Sequence, residues 1–143
     1  MNPVITILDT NVVSEPMRPS PSRAVLDWLS ESHEGGLLFV TTITVAEILF
    51  GIELLPGGKR RDQMLAQAEA AFAEDFVGRV LPFDEDAARA FPEIAVRRRA
   101  QGKPIADLDA QIAAIARSRD AILATRNTAD FEGCGLRLAN PWQ

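Results

Sequence analysis

The sequence predicts an α/β fold built around a mainly parallel sheet. Five short apolar runs, each typical of a buried strand, are spaced along the chain, and most of the intervals between them carry helical patterns. Strands that alternate with helices favour parallel pairing, because the helix returns the chain to the start of the next strand. At 143 residues, the chain is expected to form one domain over residues 1–143. The predicted strands are Val4–Leu8, Leu37–Val40, Arg79–Leu81, Ile122–Thr125 and Leu136–Ala139.

The helices are predicted from caps, breakers and apolar spacing. Ser20-Pro21 is an N-cap and first-position pair for a helix that Gly35-Gly36 would end. Asp84 is expected to cap a helix that runs to about Ala100, and Pro92 inside it is a position where a helix kinks or splits. Three further helices are predicted at about 43–55, 60–76 and 105–119.

The composition removes several kinds of chemistry. The chain contains one cysteine, Cys134, and one histidine, His33, so a zinc site, a disulfide framework and a Ser-His or Cys-His catalytic pair are not expected. His33 is interpreted as a cation near a helix C-terminus, and Cys134 is expected in a glycine-flanked turn. If the protein is an enzyme, carboxylates must carry its chemistry.

Charge and hydropathy limit the partners. A net charge of −5 argues against a broad basic surface that coats nucleic acid. It does not exclude a nuclease, because cations bound in an acidic pocket reverse the local field. No apolar run approaches the roughly 20 residues of a membrane span, and the first residues lack the basic start of a secretory signal. We therefore expect a soluble, cytoplasmic protein with no membrane partner.

Asp9 follows the first apolar run directly, in Ile-Leu-Asp-Thr-Asn. In open α/β sheets, ligands bind at the carboxyl ends of the strands, where a carboxylate converges with those that follow neighbouring strands. The alternative is that Asp9 only caps a short helix that begins at Asn11. Position alone favours neither interpretation.

Glu47 also has two interpretations. Thr44 and Glu47 have the spacing of a capping box, in which the glutamate reaches back to the N–H of the cap residue. The residues that follow Glu47 are nearly all apolar, however, which predicts that Glu47 lies near a buried or concave surface. An acid at such a surface needs a partner, and a metal ion is one.

Helical geometry separates Asp107 from Asp109. At about 100° per residue, Asp109 borders the predicted buried stripe, whereas Asp107 points away from it. Asp107 is therefore interpreted as a first-turn acid that complements the helix dipole. The stripe consists of Ile105, Leu108, Ile112 and Ile115.

Asn127 and Asp130 follow the fourth predicted strand in a polar segment that Asx turns alone would explain. Together with Asp9, Glu47 and Asp109 they make an acidic cluster plausible at one edge of the sheet. A cluster of oxygen ligands without histidine or cysteine selects hard cations, so Mg²⁺ or Mn²⁺ is expected. Such an ion activates water and neutralises charge on a phosphodiester, which makes phosphodiester hydrolysis the leading chemistry.

Four motifs, taken in their order and spacing, resemble those of the PIN-domain ribonucleases, and within them the VapC-type toxins of the FitB/StbB-like group. The motifs are ILDTNVVSE, TTITVAEILFGIELLPGGKRR, DAQIAAIARSRDAILATRNTADFEGCGL and the closing NPW, which together extend over nearly the whole chain. The resemblance implies a PIN-like three-layer α/β/α fold with a central five-stranded sheet. It also implies an Mg- or Mn-dependent endoribonuclease.

The resemblance implies a role for each matching residue. Asp9, Glu47 and Asp109 match the metal-binding acids of the family. Many members have a fourth acid directly after TR or TN, where this chain has Asn127, and Asp130 is the residue that would supply the charge instead. That departure leaves open whether a second metal binds without substrate. The positions that match polar pocket residues are Thr10, Asn11 and Thr125, beside Asn127.

The resemblance also implies partners. These are RNA as substrate, a second copy of the chain in a homodimer, and a small cognate antitoxin whose C-terminal segment blocks the acidic pocket, with DNA contacted only through the antitoxin. Lys59, Arg60 and Arg61 are candidate RNA-backbone contacts. The Arg97–Arg99 triplet is another candidate, although a solvated helix end favourable to the dipole explains it at least as well.

Three rival functions use similar acids. A phosphotransferase of the haloacid-dehalogenase type needs a second acid two residues after the first, where this chain has Asn11. A response-regulator receiver needs a phosphoacceptor aspartate after a central strand, whereas Arg79–Leu81 leads to Pro82-Phe83-Asp84. A non-catalytic binding module, in which the acids serve only as caps, is the third.

Overall fold

A computed structural model of the chain describes residues 3–33 and 37–143. Its centre is a five-stranded sheet with the strand order β3-β2-β1-β4-β5, in which all four neighbouring pairs are parallel. The strands are β1 (Thr6–Leu8), β2 (Leu38–Thr41), β3 (Val80–Leu81), β4 (Ile122–Ala124) and β5 (Arg137–Ala139). Each predicted strand is present with bounds close to those expected, and the pairing is wholly rather than mainly parallel.

Helices occupy most of the intervals between the strands. Those within the described ranges are α1 (Thr10–Ser14), α2 (Arg23–His33), α3 (Thr42–Glu53), α4 (Lys59–Ala70), α5 (Glu85–Ala100) and α6 (Asp107–Ser118). Shorter helical turns lie at Glu15–Met17, Ala71–Asp75 and Thr128–Phe131. Over residues 3–33 and 37–143, no helix has the length and apolar character needed to cross a membrane.

The two faces of the sheet carry separate cores. Successive side chains of a strand point to opposite faces, so Ile7 packs with α5 and α6 on one face, and Leu8 packs with α1 to α4 on the other. The first core includes Ile94, Ile112, Ile115 and Leu123. The second includes Val12, Val25, Ile48, Ile52 and Ala124. A parallel sheet covered on both faces is the expected solution, and the three-layer α/β/α arrangement is confirmed.

The starts of two helices differ from the prediction. β2 passes into α3 without a loop, and the hydroxyl of Thr41 accepts the backbone N–H of Thr44 at 3.1 Å. The predicted capping box led by Thr44 is therefore wrong, because the cap lies three residues earlier. At α2 the hydroxyl of Ser22 accepts the N–H of Val25 at 3.4 Å, two residues beyond the predicted cap. The predicted stop at Gly35-Gly36 lies outside the described residues.

The later helices are closer to expectation. Asp84 caps α5 by accepting the N–H of Ala87 at 3.0 Å, as predicted. The helix continues through Pro92, which is exposed together with Ala88, so the carbonyl that loses its donor can be hydrated. Leu108 is 46% exposed, contrary to prediction. Ile105 precedes the first turn of α6, so helical spacing does not place it on one stripe with Leu108.

Cys134 lies in the expected turn, between two glycines with positive φ, Gly133 at 77° and Gly135 at 74°. Its side chain is buried in the core beneath α5 and α6. Burial raises the pKa of the thiol, although the neighbouring Arg98 guanidinium acts in the opposite direction. A thiol that stays protonated serves as a small core side chain.

Arg98 has a structural role that the sequence did not indicate. Arg97 and Arg99 are exposed, but Arg98 is buried at the end of α5. Its Nε donates to the carbonyl of Lys103 at 2.7 Å, and its Nη1 donates to the carbonyls of Asp130 and Glu132, both at 2.8 Å. Both interpretations of the triplet are wrong for this residue, because the guanidinium joins the segment before α6 to the segment after β4.

The three carbonyls around Arg98 generate a prediction about stability. Lysine keeps the charge but has no planar fork, so Arg98→Lys cannot donate to all three carbonyls in the same geometry. We expect a loss of about 1–3 kcal/mol in the free energy of unfolding, measured by urea denaturation. Arg97→Lys, at an exposed neighbour, should change it by less than about 0.5 kcal/mol. Equal effects of the two substitutions would contradict this role.

Candidate active site

Asp9 lies at the carboxyl end of β1, in the middle of the sheet edge. One oxygen, Oδ1, accepts the backbone N–H of Thr10 at 2.8 Å at the start of α1. The other, Oδ2, accepts the Thr125 hydroxyl at 2.7 Å and Nδ2 of Asn11 at 3.4 Å. One oxygen therefore caps α1, while the other accepts from Thr125 beyond β4 and from Asn11 in α1. The ligand interpretation of Asp9 stays a prediction.

The surroundings of Asp9 favour its neutral form. The residue is only 5% exposed. Burial raises its pKa, hydrogen bonds from Thr125 and Thr10 act in the opposite direction, and the charges of Glu47 and Asp130 raise it further. A group that is hydrogen-bonded as an anion and repelled by other anions is poised to accept a cation.

A chain of hydroxyl groups connects Asp9's neighbour to Glu47. The Thr10 hydroxyl donates to Oε1 of Glu47 at 2.7 Å, and it also lies 3.0 Å from the Thr44 hydroxyl. Each hydroxyl has one proton, so Thr44 must donate to Thr10. Thr41 in turn donates to Thr44 at 3.5 Å. The chain thus runs in one direction and ends on the half-buried carboxylate of Glu47, which takes no part in capping α3.

Asp109 faces the same group of acids from the first turn of α6. It is half-buried, whereas Asp107 is exposed. The pKa of Asp109 is raised to about 6. Burial is the largest cause, and the charges of Asp9, Glu47 and Asp130 raise it further. The geometric distinction between Asp107 and Asp109 therefore agrees with their placement.

Asp130 and Asn127 lie at the exposed turn after β4. Asp130 lies in the turn Thr128–Phe131, and the charge of its carboxylate raises the pKa of both Asp9 and Asp109. Asn127 contributes its backbone N–H, which donates to the Thr125 hydroxyl at 3.1 Å. Arg98 holds the carbonyl of Asp130, so the position of this turn depends on a buried contact on the other side of the segment.

The predicted pocket-lining residues lie together. Among the described residues, the basic residues predicted to contact the RNA backbone form no ion pair with the four acids. Asn11 donates to Thr125 at 3.5 Å as well as to Asp9. Lys59 and Arg60 are exposed at the start of α4, and Arg61 pairs with Glu53 at 2.7 Å. Sequence reasoning did not assign Thr44 to the site or notice Arg126. Two features of the sequence could have indicated them: the repeated threonines before Glu47, and the arginine that directly follows Thr125.

The chemistry of the donors fits a hard divalent cation. All four acids offer oxygen, and within the described residues none of them forms an ion pair with lysine or arginine. In the same part of the chain, no three Asp, Glu, His or Cys side chains are already drawn together as a ready-made metal cage. The acids repel one another, and a bound cation would remove that repulsion.

A separate cavity lies on the other side of β1, between α2 and α4. It has a volume of about 570 Å³. Its lining is largely apolar and includes Leu8, Met17, Leu29 and Phe76, but none of the four acids. The cavity is therefore distinct from the acidic site.

Comparison with known proteins identifies the family. The family model for the PIN domain matches residues 6–132, and the chain therefore belongs to the PIN-domain family, as its motifs indicate. Similar curated proteins are plasmid stability protein StbB of Pseudomonas syringae pv. tomato (43% identical, covering 96% of this chain and 98% of that protein), VapC ribonuclease Y4jK of Sinorhizobium fredii (41%, 96% and 97%) and Toxin FitB of Neisseria gonorrhoeae (39%, 95% and 97%). The crystal structure of FitAcB from Neisseria gonorrhoeae matches with a TM-score of 0.89 at 38% identity, covering 97% of this chain and 99% of that chain.

The raised pKa of Asp109 predicts a pH-dependent stability in EDTA. The folded protein retains a proton on Asp109 up to a pH of about 6, whereas the unfolded chain loses it near the ordinary value of 3.8. The stability that this proton contributes is complete below pH 3.8 and is lost as the pH rises through 6. Asp109→Asn cannot titrate, so its stability relative to wild type should increase across this range.

The measurement is urea denaturation of both proteins at a series of pH values in EDTA. Asp107→Asn is the matched control, because it removes an exposed carboxylate from the same helical turn. If wild type and Asp109→Asn show parallel pH profiles, the proposed coupling of Asp109 to the other acids is wrong.

Proposed function

We propose that this chain is a metal-dependent ribonuclease that hydrolyses phosphodiester bonds of RNA and acts as the toxin of a toxin–antitoxin pair. The observation that carries the proposal is the group of acids at the carboxyl edge of the sheet, where burial first, and the charges of the other acids second, raise the pKa of Asp109 to about 6. The relatives support the reaction, since VapC ribonuclease Y4jK is 41% identical over 137 residues.

Asp9, Glu47 and Asp109 are the proposed ligands of Mg²⁺ or Mn²⁺, and Asp130 is the proposed fourth acid. The charge of Asp130 raises the pKa of Asp9 and of Asp109, which supports Asp130 over the neutral Asn127 as the fourth acid. When bound, such an ion lowers the pKa of water and neutralises charge on the phosphodiester. Whether one or two ions bind follows from how many of these acids ligate at once.

The other site residues prepare the acids for this task. Thr10 and Thr125 each donate to one oxygen of Asp9, which fixes the carboxylate and leaves further lone pairs on both oxygens. The hydroxyl of Thr10 does the same for Oε1 of Glu47. Holding these groups before the substrate arrives reduces the reorganisation that the reaction requires.

The non-catalytic alternative explains less of the geometry. Helix capping accounts for Oδ1 of Asp9, but not for the contacts of Oδ2 or for Glu47, which caps nothing. Acids that served only as caps would have no reason to be placed where they destabilise one another. A phosphotransferase of the haloacid-dehalogenase type needs a second acid two residues after the first. This chain has Asn11 at that position, and Asn11 donates a hydrogen bond to Asp9.

We also propose the biological setting. The relatives Toxin FitB and the FitAcB structure support a cognate antitoxin as the partner of this chain. The proposed homodimer and the cytoplasmic location follow from the family and from an RNA substrate, and DNA would be met only through the antitoxin. Expression alone should arrest growth, and co-expression of a cognate antitoxin should restore it.

Cleavage assays on the two neighbouring aspartates test the function. Asp109→Asn should abolish cleavage of single-stranded RNA, because it removes charge from the acid cluster, and Asp107→Asn should leave cleavage largely intact. EDTA should stop the wild-type reaction, and Mn²⁺ should restore it. RNA cleavage that persists in EDTA, or equal loss in both variants, would refute the proposed site.

Glu47→Gln tests the metal site without measuring activity. The amide oxygen can still accept the Thr10 hydroxyl, so the variant should fold, and its metal-free form should be as stable as wild type or slightly more stable. The rise in melting temperature on adding Mn²⁺ should shrink. Glu53→Gln, at an exposed acid of the same helix, should keep the full rise. A full rise in Glu47→Gln would remove Glu47 from the metal site.

A further inference from the structure

Arg126 is a cation whose backbone lies at the edge of the acidic site. It directly follows Thr125, and its backbone N–H donates to Oδ1 of Asn11 at 3.2 Å. Asn11 and Thr125 are the two residues that hold Oδ2 of Asp9. The backbone of Arg126 is thus fixed to the same hydrogen-bonded group that positions the central acid.

The side chain of Arg126 lies on an aromatic ring. Its guanidinium carbon is 5.1 Å from the centroid of the Trp142 ring. Trp142 is itself fixed, because its backbone N–H donates to Oδ1 of Asn140 at 3.0 Å and its side chain packs against the core that contains Leu8 and Ala124. The ring is therefore a stable platform near the end of the chain.

The sheet explains why these two residues meet. β4 and β5 are neighbours with Ala124 opposite Ala139, and the N–H of Thr125 donates to the carbonyl of Ala139 at 2.9 Å. Both strands run in the same direction, so Arg126 and Trp142 leave the sheet at the same edge. That edge also carries Asp9, because β4 pairs with β1 on its other side.

The stacked position of Arg126 is informative because its backbone adjoins the acidic site. An exposed arginine beside a cluster of carboxylates would be expected to pair with one of them. Among the described residues, Arg126 forms no ion pair, and its guanidinium donates no hydrogen bond. The face of an indole ring attracts a guanidinium that lies over it. The contact holds the guanidinium on the ring and not on a carboxylate, and among the described residues it leaves the N–H groups at the guanidinium edge without an acceptor.

We propose that Arg126, held on Trp142, binds a backbone phosphate of single-stranded RNA next to the phosphate that is cleaved. The inference rests on the proposed function and adds a substrate-binding residue to it. A planar guanidinium with open edge donors binds phosphate in a bidentate manner. An acidic site repels RNA, so a cation at its edge that does not neutralise the acids supplies attraction where it is needed. Trp142 positions this group, and Arg126 provides the contact.

Steady-state kinetics at varied salt tests the contact. The substrate is a random-sequence pool of single-stranded RNA that carries a fluorophore and a quencher, with Mn²⁺ held constant. For single strands, each phosphate contact contributes about 0.7 to the steepness of the plot of log affinity against log salt concentration. At 0.1 M KCl this corresponds to about a fivefold effect on affinity. Arg126→Ala should therefore raise KM about fivefold, leave kcat nearly unchanged and reduce the salt slope by about 0.7.

Two further variants separate charge from structure. Arg126→Lys keeps the charge and should keep the salt slope. Arg89→Ala removes an exposed arginine on α5 that pairs with Glu85, and should change neither KM nor the slope. If Arg126→Ala does not fold, Arg126→Gln removes the charge with less loss of side-chain packing and is read in the same way.

The outcomes distinguish this inference from the function on which it rests. If wild type does not cleave the RNA pool, the proposed function fails and the inference fails with it. If wild type cleaves, but the charge-removing variant has a lower melting temperature with an unchanged KM and salt slope, Arg126 and Trp142 only anchor the C-terminal turn. The inference is then wrong, and the nuclease assignment stands.

Discussion

The hydrogen bond between Thr125 and Oδ2 of Asp9 is the contact on which the site depends. It joins residues 116 positions apart. It can form only because β1 and β4 are adjacent and parallel, with the N–H of Asp9 donating to the carbonyl of Ala124 at 2.9 Å. Once these strands are in register, the acid and the hydroxyl that follow them meet at one edge of the sheet. The fold therefore determines where the first carboxylate points.

Around this contact, the protein accepts an unfavourable arrangement of charge. Burial and the neighbouring acids raise the pKa values of Asp9 and Asp109, which means that the ionised cluster lowers the stability of the metal-free fold. The hydroxyls of Thr10 and Thr125 offset part of this cost without supplying positive charge. Arg98 is the buried cation of the region, yet it binds carbonyls rather than carboxylates. Its contacts position the turn that carries Asp130 and leave the charge of the cluster for a ligand. An unfavourable arrangement of charge that lowers stability is common at functional sites.

Much of the fold could be predicted from the sequence because its signals are local. Apolar runs located the five strands, and Asp84 capped its helix as predicted. The start of α3 could not be read in the same way, since Thr41, Thr42 and Thr44 are all acceptable caps and only the end of β2 decides among them. Asp109 is half-buried and Asp107 is exposed, in the order that their azimuths indicated, but the role of Asp109 as a metal ligand stays a prediction. Arg98 was misread because its carbonyl partners are 5 to 34 residues away.

The same limit explains why the cation at the edge of the site was missed. In the sequence, Arg126 is one basic residue in a polar segment, and Trp142 is the penultimate residue of the chain. Their contact depends on β5 lying beside β4, a neighbour relation that no local pattern encodes. Yet this relation makes physical sense of an acidic nuclease with a net charge of −5. A broad basic surface would bind RNA with no preference for the site, and would pair with the acids of the cluster. One arginine stacked on a fixed ring adds attraction at one point of the sheet edge that carries the acids.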